Sequence, residues 1–192
     1  MKPFGLIFTL FGMFALLVSV PAQAEKFSIT PAVQTELDKQ KKLLVTWAST
    51  PVIVNAVKAQ NIKGPIAGMD NLQWKAMRRS DPRIDEFQSN DAGAFLKSKL
   101  DGSANLYSEA FLSAASGEKV AFVEKTSSYI HKGAAKFDVP FTTGATWQGV
   151  PEFDESSQTY AIQLSVPVNS DGKAVGVLVV GVSLVQLGKA AK

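Results

Sequence analysis

Tyr129, Lys132, Lys136, Trp147, Asp154, Tyr160 and Gln163 fall within one stretch of the C-terminal half. Together they carry the chemistry of a small-molecule pocket: rings cover the apolar part of a ligand, a lysine pairs with a carboxylate, and an aspartate pairs with an ammonium group. The set suits a small polar or zwitterionic ligand. The same residues also fit ordinary structure, with Trp147 and Tyr160 in a core and both lysines in water. Catalytic arrangements are harder to assemble. His131 is the only histidine, which excludes a multi-histidine zinc site. A Ser-His-Asp triad would need His131, which stands beside Ile130 and Lys132 with no sharp-turn serine motif nearby. Glu152, Asp154 and Glu155 lie close together, as in a turn rather than a paired acid and base. The stretch from Gly176 to Gly181 lacks the Lys-Ser/Thr ending of a phosphate loop and reads as close strand packing. Asn169-Ser170-Asp171-Gly172 is a turn, not a calcium loop. No catalytic residue, metal or cofactor is expected.

The elements that must position these residues are legible in the pattern. Thr30-Pro31 forms a helix cap and first turn, and Ile29, Val33, Leu37, Leu44 and Trp47 follow as one apolar stripe. Thr50-Pro51 predicts a bend and a restart, because the residue before proline disfavours the helical conformation. Pro51–Asn61 then continues the helix. Gly64-Pro65 is a loop. Short helical pieces follow at Met69–Met77, after Asp81-Pro82, and at Ala92–Leu100 with Asp91 as cap. From Tyr107 the texture changes to strands: Ala110–Ala115 and Lys119–Lys125 flank Ser116-Gly117 as a hairpin. Tyr160, Ile162, Leu164, Val166 and Val168 alternate onto one face. Ala174–Leu184 is almost wholly apolar, so covered on both faces. Helices first and antiparallel strands afterwards predict an α+β fold.

Composition excludes several classes. The 192 residues are 46% hydrophobic and 19% charged, which is neither disordered nor collagen-like. A net charge of +3 without a concentrated basic run argues against nucleic acid as a partner. Cysteine is absent, so disulfides, thiolate metal sites and a cysteine nucleophile are excluded. Met1–Ala24 has a basic start at Lys2, an apolar run from Phe4 to Val20 and a small-residue end, Ala22-Gln23-Ala24. That is the layout of a signal peptide cleaved after Ala24. The expectation is a periplasmic, secreted protein whose residues 25–192 form one domain.

Several segments carry a resemblance in their order and spacing. They are Thr50–Asn61 on the helix, Gln73-Trp74, Lys125-Thr-Ser-Ser-Tyr129, Phe153-Asp-Glu-Ser156, Gln163–Val168 and Asp171–Gly176. The chain resembles a secreted single Cache domain, the extracellular PAS-like fold also called a PDC sensor, from about Leu43 to Leu184. The resemblance implies a long N-terminal helix packed on one face of a roughly five-stranded antiparallel sheet. It implies a small-molecule pocket on the other face, roofed by the segment between the second and third strands. By the same likeness Tyr129, Lys136, Phe137 and Asp154 are ligand-binding positions, with Asp154 holding a ligand amine. Similar sequences tend to read Ser-Asp-Tyr-Trp-Gln-Gly-Asp where this one has Ser127-Ser-Tyr-Ile-His-Lys-Gly133. An Asp and a Trp are lost and a His and a Lys gained, so the more basic roof favours an anionic ligand such as a carboxylate.

Two functions follow as expectations. One is a periplasmic small-molecule binding or sensing module without enzymatic activity. Because the chain stops at Lys192, soon after the last strand, signalling needs a partner: the ectodomain of a membrane receptor, kinase or diguanylate cyclase. An apolar stripe larger than the sheet can cover predicts a homodimer through the N-terminal helix. The alternative is a structural or protein-interaction module whose pocket its own side chains fill.

Overall fold

The computed structural model describes residues 28–154 and 159–190, with the backbone alone for Asp154, Thr159 and Ala190. The segment read as a signal peptide lies outside the described residues. Among the described residues, seven helices and six strands follow in chain order: α1 (Pro31–Ala48), α2 (Pro51–Lys63), α3 (Asn71–Ala76), α4 (Pro82–Ser89), α5 (Asp91–Asp101), β1 (Tyr107–Ala114), β2 (Lys119–Phe122), α6 (Ala135–Thr143), β3 (Trp147–Gln148), β4 (Glu152–Asp154), β5 (Thr159–Ser170), β6 (Lys173–Ser183) and α7 (Leu184–Ala190).

Local chemistry explains the helix starts. The Thr30 hydroxyl accepts from the Val33 amide at 3.3 Å, with Pro31 in the first turn. The bend expected at Thr50-Pro51 separates α1 from α2, so the long helix is two helices. Asp70 and Gln73 make a reciprocal capping box on α3. Asn90, not Asp91, caps α5: its side chain accepts from the Gly93 amide at 2.8 Å.

All strand pairs are antiparallel, in the order β2-β1-β6-β5-β3, with β4 also pairing β5. Since β3 and β4 share one edge of β5, the sheet is five positions wide. Asp171 (φ 51°) and Gly172 (φ 75°) form the two-residue turn between β5 and β6. Consecutive positive φ values match the twist of the flanking strands and explain Asp-Gly there.

Alternation then divides the molecule into two cores. Ile162, Leu164, Val166 and Val168 of β5 meet Val33, Leu37 and Leu44 of α1 and Ile53 and Val57 of α2. On the opposite face Phe111, Phe122, Val177 and Val179 pack with Trp74, Ile84, Tyr129 and Phe137. Strand β6 is central and apolar because both layers cover it. The second layer is incomplete: α6 lies across β5 and β6, and beyond it the sheet face is open.

Candidate functional site

The open part of that face is a cleft of about 1570 Å³. Its floor is Ser108, Glu109 and Phe111 of β1, Gly181 of β6 and Ala161 and Gln163 of β5. One wall is the Glu124–Lys136 segment between β2 and α6, and the other is the edge from Trp147 to Phe153. Gly181 is needed here, because a Cβ would meet Ser108 Oγ at 2.6 Å and Glu109 Cγ at 2.8 Å. The bare backbone lets Glu109 lie across the sheet.

The polar groups of the floor form an ordered chain. Lys136 Nζ donates to Gln163 Oε1 at 3.1 Å, and Gln163 Nε2 donates to Glu109 Oε1 at 2.6 Å. The Gln163 amide thus separates a cation from an anion and satisfies both. Two neighbours are not satisfied. Lys119 is fully buried with its Nζ 3.2 Å from the centre of the Phe111 ring and no hydrogen bond. His131 stacks on the same ring at 4.5 Å, is 6% exposed, and has a buried Nε2 without a partner. Burial holds the Lys119 amine well below the usual lysine range; Glu109 opposes this and Lys136 adds to it. Burial, then Lys119 and Lys136, push His131 down from 6.5 to about 2, against a hydrogen bond to the Ser128 backbone.

The His131 shift has a signed consequence for stability. Between about 2 and 6.5 the unfolded chain carries a proton that the folded chain refuses. Stability therefore falls as pH drops below 6.5, by up to about 1.4 kcal/mol per pH unit from this group. Urea unfolding from about pH 7 to pH 5 should show His131→Phe losing one proton's worth of that slope relative to the parent. An unchanged slope would mean that the folded protein protonates His131 freely.

Of the residues read from sequence, Lys132, Lys136, Trp147 and Gln163 line the cleft. Tyr129 and Phe137 do not: both are buried in the second core. The Tyr129 hydroxyl accepts from the Ile66 amide at 2.9 Å, and its ring lies 5.2 Å from Trp74. Phe137 is on the α6 face turned to the sheet and stacks on Phe141 at 5.1 Å. These rings are drawn inward because the roof is itself a packed layer. The Asp154 backbone ends β4 opposite Thr159; its side chain lies outside the described residues. Sequence reading passed over Glu109 and Lys119 as site groups and counted His131 only as part of a more basic roof. The one signal for Lys119 was a charge opening the apolar run Val120-Ala121-Phe122.

The wall is tied down by Asn71 at the start of α3. Its Oδ1 accepts from the amides of Tyr129 and Ile130, each at 2.8 Å, and its Nδ2 donates to the Ile130 carbonyl at 3.0 Å. Asn71→Ala should cost about 1–2 kcal/mol and loosen the segment before His131. Hydrogen exchange at the Tyr129 and Ile130 amides checks this; protection equal to the parent's would show that other contacts hold the segment.

Among the described residues no three His, Asp or Glu gather as a metal ion would require, and no helix is long and apolar enough to cross a membrane. No family model matches the sequence and no curated protein does. Solved structures do match. The E. coli DcuS sensor domain has a TM-score of 0.51 at 12% identity, over 83% of this chain and 97% of that one. The ligand-binding domain of the Campylobacter jejuni chemoreceptor Tlp3, in complex with L-valine, matches at 18% identity and a TM-score of 0.44, over 85% of this chain and 61% of that one. That of the Pseudomonas aeruginosa amino acid chemoreceptor PctC, in complex with GABA, matches at 16% identity and 0.47, over 82% and 58%. The chain therefore spans about three fifths of each chemoreceptor domain. The likeness to the DcuS sensor domain covers almost all of that domain. The fold is the Cache/PDC-type, PAS-like sensor fold.

Proposed function

We propose that this protein is a non-enzymatic binding or sensing module whose cleft takes a small polar metabolite bearing a carboxylate. The observation that carries this reading is the pair of buried basic groups without partners, Lys119 Nζ and His131 Nε2, both against Phe111, a ring of the cleft floor that His131 lines with it. Buried polar groups are normally hydrogen-bonded; an oxyanion supplies the acceptor that Lys119 lacks, and one for His131 once its Nε2 carries a proton. Lys136 and Lys132 add cations at the wall, Gln163 and Trp147 a polar and an apolar contact. Asp154, at the end of β4, is proposed to hold a ligand amine. An open cleft of about 1570 Å³ speaks against the alternative that its own side chains fill it.

The proposed setting is periplasmic, after removal of a signal peptide. The liganded protein acts there on the ectodomain of a membrane receptor, kinase or diguanylate cyclase, or delivers its ligand to it. The exposed Leu43 and Val45 of α1 support pairing of two copies along that helix.

Thermal unfolding against amino acids, organic acids, polyamines and purines tests the reading. A ligand at a hundred times its dissociation constant adds about 2.7 kcal/mol, or roughly 5–10 °C for a domain of this size. Stabilisation by carboxylates is expected. Stabilisation by polyamines alone would overturn the assignment of charge, and a flat panel would favour the protein-interaction alternative.

A further inference from the structure

We propose that the cleft takes its anion together with protons, which Lys119 and His131 accept beside Phe111 on the cleft floor. This rests on the reading that the cleft binds a carboxylate and concerns the charge state in which it does so. In the resting protein neither group is ready to hold an anion. The His131 ring N–H is committed to the Ser128 backbone, and its buried Nε2 has no partner. In a neutral ring so bonded, Nε2 is a lone pair and would repel a carboxylate oxygen. Lys119 is fully buried, with its Nζ over the Phe111 ring and no hydrogen-bond partner.

The groups around Lys119 set this state. From β1 comes Glu109, already engaged by Gln163. From α6 comes Lys136, held by the other end of the same amide. The connecting loop contributes His131, and the residue just before β2 is Glu118, buried with Oε2 unpartnered. Helices α2 and α5 meet β2 on its other face, in the core that holds Val120 and Ala121, and α4 meets it through Phe87 stacked on Phe122 at 5.5 Å. None of those contacts is titratable. Two carboxylates, the half-buried Glu109 already bonded and the buried Glu118, thus stand among three basic groups.

An anion seated against Phe111 reverses the balance. Negative charge in a poorly hydrated site favours the ammonium and imidazolium forms, and protonation turns Nε2 from an acceptor into a donor. Uptake of a proton on binding makes affinity rise as pH falls, by linkage. Glu109, at the far end of the Gln163 relay, then balances Lys136 and leaves the new positive charge to the ligand.

The test uses inorganic sulfate, which keeps its charge across the range, and acetate as the carboxylate. His131 is the only histidine, so its ring resonances report protonation without assignment. NMR titrations between about pH 6 and pH 8.5 should show affinity falling up to tenfold per pH unit for each proton taken up. The His131 ring should stay at its neutral position without anion and move toward imidazolium at saturation. Lys119→Met and His131→Phe keep the packing and should each flatten the slope; the double variant should lose it. Either anion binding with a flat pH profile and an unmoved ring would overturn the proton coupling and leave the anion cleft standing. A slope unchanged in the double variant would also overturn it. Failure of both anions to bind at any pH would overturn the coupling and the carboxylate reading together.

Discussion

Lys119→Met is expected to make the unliganded protein more stable, by about 1–3 kcal/mol near neutral pH, while weakening any response to anions. The apolar stem of the side chain is already buried beside Phe111 of β1, and methionine is close to it in length. What the substitution removes is an amine that folding takes from water and leaves without a hydrogen bond. The pH dependence follows from the direction of its shift. Folding lowers the amine's affinity for protons, so the unfolded chain binds more of them at neutral pH. The penalty is absent well above the ordinary value of 10.5 and grows as pH falls below it. The gain from Met should therefore be larger at about pH 7 than at about pH 10, and thermal unfolding at both reads it directly, at roughly 2–4 °C per kcal/mol. A loss of stability at neutral pH would mean that Lys119 is already charged and paired in the folded state.

Trp74→Ala should have the largest effect on the fold, about 3–5 kcal/mol. The ring is fully buried and meets Phe87, Phe122 and Tyr129 at 5.8, 5.8 and 5.2 Å. Its Nε1 donates to the Thr126 carbonyl at 2.8 Å, and Lys125 Nζ lies 5.0 Å from the ring. One side chain thus joins α3, α4, β2 and the cleft wall. The cavity left by alanine opens in the layer that backs His131, so ligand stabilisation should fall along with the melting temperature. Trp74→Phe separates the two contributions: it keeps most ring contacts and loses the hydrogen bond, for about 1–2 kcal/mol. If urea unfolding put Trp74→Ala within about 1 kcal/mol of the parent, the second core would have to be held elsewhere.

The two substitutions act on opposite sides of one balance. Trp74 belongs to the continuous apolar layer that completes the fold. Lys119 belongs to the place where that layer is interrupted, and a folded protein that carries such an interruption gives up stability for it. Under the proposed function, a ligand that pairs with the amine would recover it, coupling occupancy to the rigidity of the segment between β2 and α6.

What the sequence by itself determined is the local part. Thr30-Pro31 and Asp81-Pro82 start helices because the side-chain oxygen and the fixed φ act within a turn. The alternation from Tyr160 to Val168 fixed which face of β5 meets α1, and Asp171-Gly172 fixed the register with β6. Tertiary structure decided the rest. Helix α6 carries Pro140 inside it and has no side-chain cap at Ala134, so nothing local predicts it; Phe137, packed with Val177 and Val179, holds it. The edges β3 and β4, two and three residues long, exist only because β5 offers them a partner. Tyr129 and Phe137 read as ligand contacts because aromatic type does not reveal which side of a layer a ring takes. The burial of Lys119 is not legible in sequence, because burial is set by what packs around a residue. Phe111, His131 and Lys136 come from a strand, a loop and a helix, and only folding brings them to one place.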